Sequence, residues 1–141
     1  MHDPFDLERF VRAQAPLYAQ ALAELRAGAK RSHWMWFIFP QLQGLGSSAT
    51  ARAFAISGRP EAGAYLAHPL LGARLEECTG AVNALEGFPV AAIFGQPDDL
   101  KFRSSMTLFA EVAAGAANPF RHALLKYFAG EEDPLTRERL T

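Results

Sequence analysis

Residues 98–113 read DDLKFRSSMTLFAEVA, and the spacing of the large apolar side chains in this stretch decides the fold class. Phe102, Met106, Phe109 and Ala113 fall at i, i+4, i+7 and i+11, one face of an α-helix, and Asp98 or Asp99 is placed to cap its start. The same spacing recurs on both sides. Upstream, Leu70, Leu71, Leu75, Cys78, Val82 and Leu85 form a stripe that ends at Gly87 and predicts a central helix. Downstream, Asn118-Pro119 is a cap followed by a first-position proline, opening a helix through Leu124, Leu125 and Phe128 to Gly130, and Asp133-Pro134 repeats the device. Toward the N-terminus, Asp6 is placed to cap a helix carrying Leu7, Phe10 and Val11. Pro16 kinks it or starts a second helix with Tyr18, Ala21, Leu22 and Leu25, which runs to Gly28. Ser32 is expected to cap an aromatic helix, His33 to Phe39, ended by Pro40. Ser47 or Ser48 caps a helix over Ala49 to Ile56, Pro60 begins a short one to Ala67, and Phe88-Pro89 opens a brief turn to Phe94. Seven or eight helices of unequal length joined by short loops predict an irregular all-α bundle, a single domain over residues 1–141.

Composition agrees with this pattern. The chain has 26 Ala and 17 Leu against 4 Val and 3 Ile, so the β-branched residues that suit a pleated sheet are scarce. A length of 141 residues, 50% of them hydrophobic and 21% charged, excludes intrinsic disorder and suits one core. Fourteen basic against 15 acidic residues give a formal net charge of −1, so no global field draws a polyanion or an anionic membrane. The basic residues are scattered without aromatic interleaving, which speaks against a dedicated nucleic-acid surface. The single Cys78 forms no intrachain disulfide, and no apolar run approaches the roughly 20 residues that cross a bilayer. The expected location is the cytoplasm.

Core packing accounts for most of the apolar residues, and two places do not fit that account. The first is residues 32–41, SHWMWFIFPQ, which hold both tryptophans, with His33 at one end and Gln41 just past the other. Such an element is expected to be buried, its polar ends lining a pocket, with Trp34 or Trp36 as a stacking wall and His33 as donor or proton-transfer group. The bland alternative is that the aromatics fill the core and the polar ends satisfy nearby backbone. The second place is the stripe Lys101, Ser104, Ser105 and Leu108, which adjoins the apolar face and predicts a position at the margin of the core. With Arg103 it offers hydroxyls and positive charge to phosphate or ribose oxygens, while paired serines also occur simply where helices pack closely. The turn Gly44-Leu45-Gly46-Ser47-Ser48 is a weaker anion site, and no phosphate loop of standard spacing is present. His2, His68 and His122 lack metal-ligand spacing, Glu76 and Glu77 point to different helix faces, and no Gly-x-Ser-x-Gly elbow occurs. No motif calls for a cofactor or a metal.

The segments 32–41, Gly44-Leu45-Gly46, His68-Pro69-Leu70-Leu71-Gly72, Ile93-Phe94-Gly95 and 101–109 (KFRSSMTLF) together closely resemble the bacterial family catalogued as domain of unknown function 1810, nearly end to end. The resemblance implies a small, all-helical, single-domain fold and carries no established biochemical function. Some members of that family bear the label calpastatin, which denotes a long disordered protease inhibitor; this ordered, aromatic-rich chain is of the opposite character. Lys101-Phe102 and the tryptophan-rich segment are also faintly similar to the YbiA-like NADAR proteins, helical domains tied to ADP-ribose and N-glycosidic chemistry. Here the sequence departs from that pattern. Only Glu8 or Glu24 with Gln14 stands where the early glutamate motif of those proteins would be, at unmatched spacing.

Two functional expectations follow. One is a pocket for a nucleotide-like or ADP-ribose-type metabolite, extending to hydrolysis of an N-glycosidic bond, with Trp34, Trp36, His33, Gln41, Lys101, Arg103, Ser104 and Ser105 around it. The other is a non-enzymatic interaction or regulatory domain, monomer or homodimer, whose motif residues are packing core. Convergence of His33, Gln41, Lys101 and Ser105 on one solvent-connected pocket separates the two.

Overall fold

A computed structural model describes residues 2–140. Ten helices follow one another: α1 (Glu8–Gln14), α2 (Tyr18–Ala27), α3 (Met35–Ile38), α4 (Ala49–Ala53), α5 (Arg59–Ala67), α6 (Leu71–Asn83), α7 (Val90–Phe94), α8 (Asp98–Val112), α9 (Pro119–Phe128) and α10 (Pro134–Leu140). Seven of them have seven residues or more, and no strand is present among the described residues, so the protein is an all-α bundle. The long helices build its centre. α8 packs on α9, α5 and α7, while α6 packs on α9, α5 and α2.

The predicted stripes largely face inward, though α6 stops at Asn83, Leu70 before it is exposed and Leu85 after it is partly buried. Leu71, Leu75, Cys78 and Val82 of α6 are buried, as are Phe102, Met106 and Phe109 of α8, in one continuous core. Aromatic rings link the layers: Phe10 meets Tyr65 at 5.1 Å edge-on, Tyr65 meets Phe109 at 5.3 Å, and Phe109 meets Phe120 at 5.9 Å. A second group joins Phe39, Phe94 and Phe102, with Phe94 stacked on Phe102 at 4.5 Å. Each such pair contributes about 0.5–1.5 kcal/mol beyond its buried area.

Several local expectations are corrected. Asp6 does not cap α1; it has φ +51°, and Asp3 accepts from the Leu7 and Glu8 amides instead, which holds its own carboxyl below the usual range. Pro97, not an aspartate, occupies the N-cap of α8, with Asp98 and Asp99 in the first turn. Ser48 does cap α4, accepting from the Ala51 amide at 3.0 Å, but the helix stops at Ala53. The chain then straightens, because Ile56 pairs with Leu42 in a parallel bridge: the Ile56 amide donates to Gln41 O at 2.9 Å and the Gln43 amide to Ile56 O at 2.8 Å. Asn118 and Asp133 behave as read, accepting from the Arg121 and Thr136 amides.

A cleft between Trp36 and Lys101

The aromatic segment is one helical turn, not a helix from His33 to Phe39, because Ser32 is drawn away from capping. Its amide at 3.1 Å and its hydroxyl at 2.7 Å both donate to Glu24 of α2. The Arg31 amide at 2.8 Å, the Trp34 indole N–H at 2.9 Å and the Gln20 carboxamide at 3.0 Å complete the set around the same carboxylate. Burial opposes ionisation of Glu24, but the donors, led by the Ser32 hydroxyl and the Arg31 amide, outweigh it and hold the group down to about 2. Trp34 is thereby sealed in the core, with no exposed surface, and forms no pocket wall. His33 is exposed, with no hydrogen bond or ion pair among the described residues.

Trp36 is only half-buried, because α3 turns Met35 and Ile38 into the core and leaves Trp36 and Phe37 at its edge. Phe37 packs edge-on against Phe54 at 4.8 Å. Trp36 faces an open cleft of about 400 Å³, lined also by Gln41, Gly46, Ser47, Ser48 and Lys101. The Leu42–Ile56 bridge brings α4 and the preceding turn opposite the tryptophan. Arg9 backs this arrangement from α1, donating to Ala53 O at 2.9 Å, to Ala55 O at 2.8 Å and to Glu61 at 2.8 Å. Gly46 faces Ala51 so closely that a Cβ there would lie 2.6 Å from the alanine methyl.

The charge in the cleft is arranged as a ladder. Lys30 Nζ lies 5.2 Å from the Trp34 ring centroid and 2.8 Å from Asp98 Oδ2. Lys101 Nζ lies 3.4 Å from Asp98 Oδ1 and 5.4 Å from the Trp36 ring centroid. One carboxylate is shared by two ammonium groups, so positive charge is left at the Lys101 end.

The remaining candidates lie elsewhere. Ser104, Ser105 and Leu108 are buried, so the second stripe of α8 lies inside the core except at Lys101, which is partly exposed at its margin. Ser104 Oγ donates to Leu100 O at 3.1 Å, and Ser105 Oγ is buried without a partner among the described residues. Arg103 reaches toward Asp133 at 3.4 Å, beside the bond from the Asp133 amide to Thr107 Oγ1 that docks α10. Of the four groups whose convergence discriminates the two functional expectations, Gln41 and Lys101 share the cleft, whereas Ser105 is sealed and His33 is not part of the lining. Glu24, which organises the whole segment, was legible only as a charge on the apolar face of α2, beside Ala21, Leu22 and Leu25.

An all-α bundle with an open, mixed polar and aromatic cleft at one edge is the class that fold and site define. The sequence profile of a family described as a protein of unknown function (DUF1810) matches residues 4–140, and the chain belongs to that family. The crystal structure of the conserved hypothetical protein Rv1873 from Mycobacterium tuberculosis is similar throughout. It is 57% identical, the match covers 98% of each chain, and the TM-score is 0.96. No curated protein matches the chain. No helix among the described residues is long and apolar enough to cross a membrane.

Proposed function

We propose that the protein binds a nucleotide-like metabolite, a planar group carrying an anion, in the cleft between Trp36 and Lys101. The observation that carries this reading is the meeting of three groups named from sequence, Trp36, Gln41 and Lys101, in one concave, solvent-connected space. Each has unused capacity. Trp36 offers part of a ring face for stacking, and Lys101 shares with Lys30 its one carboxylate partner among the described residues. The Gln41 carboxamide has no partner among the described residues, and the Ser48 hydroxyl, which accepts from Ala51, still has its proton to donate. Among the described residues the cleft is lined by no carboxylate or imidazole, and the neighbouring Asp98 is held by two lysines. The reading is therefore binding, since Lys101 would be the lone general acid or base that hydrolysis of an N-glycosidic bond finds in the described lining.

A thermal-shift series with AMP, ADP-ribose and NAD at millimolar concentration tests it. A ligand selective for the folded state at about 100 times its Kd adds about 2.7 kcal/mol. The wild type and His33→Ala are expected to gain stability, and Lys101→Ala and Trp36→Ala to lose the gain. No shift with any of these nucleotides overturns the reading. The rival, a protein-interaction or regulatory domain with motif residues as packing material, is favoured by the burial of Trp34, Ser104 and Ser105. A panel with no shift would leave that rival standing.

A further inference from the structure

On the far side of the Gly44–Gly46 turn lies a second open cleft, of about 470 Å³, lined by Gln43, Gly44, Arg52 and Arg139. The two clefts share Gly46, and a crevice just large enough for a water-sized group, about 10 Å³, runs beneath the turn from Trp36 and Gln41 to Gly44 and Ala55. They are two ends of one depression.

The second end is cationic, with no compensating carboxylate among the described residues. Arg59, Arg121 and Arg137 each have a carboxylate partner, Glu111 or Glu132. Arg52 of α4 and Arg139 of α10 have no carboxylate partner among the described residues. Arg139 is nevertheless placed. Its guanidinium covers the Cα of Gly44, where a Cβ would lie 2.6 Å from Nη1, and Gly44 sits at φ +91°, which favours glycine. α10 in turn is capped by the Asp133 carboxylate, which accepts from the Thr136 amide and hydroxyl, and docked on α8 by the Asp133 amide, which donates to Thr107 Oγ1 at 2.9 Å. A guanidinium is a planar fork suited to two-point contact with a phosphate or carboxylate, unlike the point charge of Lys101 at the other end.

We infer that the ligand of this protein is two-headed: a planar group and a first anion held between Trp36 and Lys101, and a second, separated anionic group gripped by Arg52 and Arg139 across the Gly44–Gly46 turn. This rests on the reading of the first cleft and adds to it the class of ligand, an elongated molecule with two anionic sites. Gln43 beside the arginines offers both a donor and an acceptor to the second group.

Calorimetric titration of the full chain with AMP, ADP-ribose and NADP tests the inference. AMP carries one phosphate, ADP-ribose a diphosphate, and NADP a diphosphate with a separate monophosphate. At least one of the two larger probes is expected to bind about tenfold or more tightly than AMP, a difference of about 1.4 kcal/mol. In the double variant Arg52→Gln/Arg139→Gln that gain should disappear with AMP affinity unchanged, whereas Lys101→Gln should weaken all three probes. Both arginines are exposed, so the double variant is expected to fold, and an unchanged melting temperature checks this. AMP binding without any gain for the larger probes, or a gain that survives in the double variant, overturns the two-headed ligand alone. Failure of every probe to bind the wild type overturns both this inference and the reading of the first cleft.

Discussion

Glu24 accepts from two backbone amides, a hydroxyl, an indole and a carboxamide, and so fixes the path of the chain from Arg31 to Trp34. Truncation to alanine strands the buried Trp34 indole N–H, worth about 1–3 kcal/mol unpaired, and frees four part-buried donors at once, so Glu24→Ala is expected to cost about 3 kcal/mol in urea denaturation. A pH signature accompanies it. The carboxyl is held to about 2 in the folded protein, below the usual glutamate value of 4.5. Its stabilising effect is therefore complete above about pH 5 and is lost as pH falls toward 2. The stability difference between wild type and Glu24→Gln should narrow over that window, and a difference independent of pH would refute this role. At this scale the sequence told which residues were unusual but not which way they faced. Trp34 and Trp36 are two positions apart on similar chemistry, and only Glu24, ten residues before Trp34, decides that one is sealed and the other is not. Cys78 shows the simpler case: a lone cysteine on an apolar stripe reads as buried, and burial pushes its thiol up to about 11.

Among the elements, the long helices were legible because a stripe of four or more apolar residues outweighs local detail, as in α6 and α8, and because a cap followed by a first-position proline marks the start of α9. Short ones were not, because one turn of helix has too few internal hydrogen bonds to resist tertiary demands. α3 lost its expected first turn to Glu24, and α4 lost its last turn to the bridge at Ile56. The motif glycine at position 72 illustrates a constraint that periodicity does not reveal. α6 begins so close to the end of α5 that a Cβ on Gly72 would lie 2.1 Å from the carbonyl oxygen of Leu66. Backbone cannot yield as a flexible side chain does. Gly72→Ala is expected to destabilise by about 2–3 kcal/mol despite alanine's better helix propensity, measured by the urea midpoint, with Gly80→Ala on the same helix as control. Position 80 has open space around it, so that variant should be neutral or stabilising, and equal behaviour of the two would refute the close-approach explanation.

Across the whole molecule, one continuous core joins residues from α1 to α9, and the aromatic contacts cross between helices distant in sequence. Unfolding is therefore expected as one cooperative transition, with far-ultraviolet circular dichroism and tryptophan fluorescence changing together; two separated transitions would mean that the bundle is not a single cooperative unit. The fold class was legible from alanine and leucine excess plus stripe spacing. The cleft was legible only in part, since Arg139 reaches Gly44 from the opposite end of the chain and no local pattern announces a contact of that range. The parallel bridge between Leu42 and Ile56 has a separate consequence for how relatives of this protein can diverge. It closes the intervening segment into a loop that leaves and re-enters the fold at one point, so insertions and deletions in its exposed stretch, residues 47–50, meet little entropic resistance, while Phe54 stays packed on Phe10 and Phe37. Because this loop carries Gly44, Gly46, Ser47, Ser48 and Arg52, which line the two clefts, it is a cassette whose exchange reshapes both clefts while the core sequence stays intact.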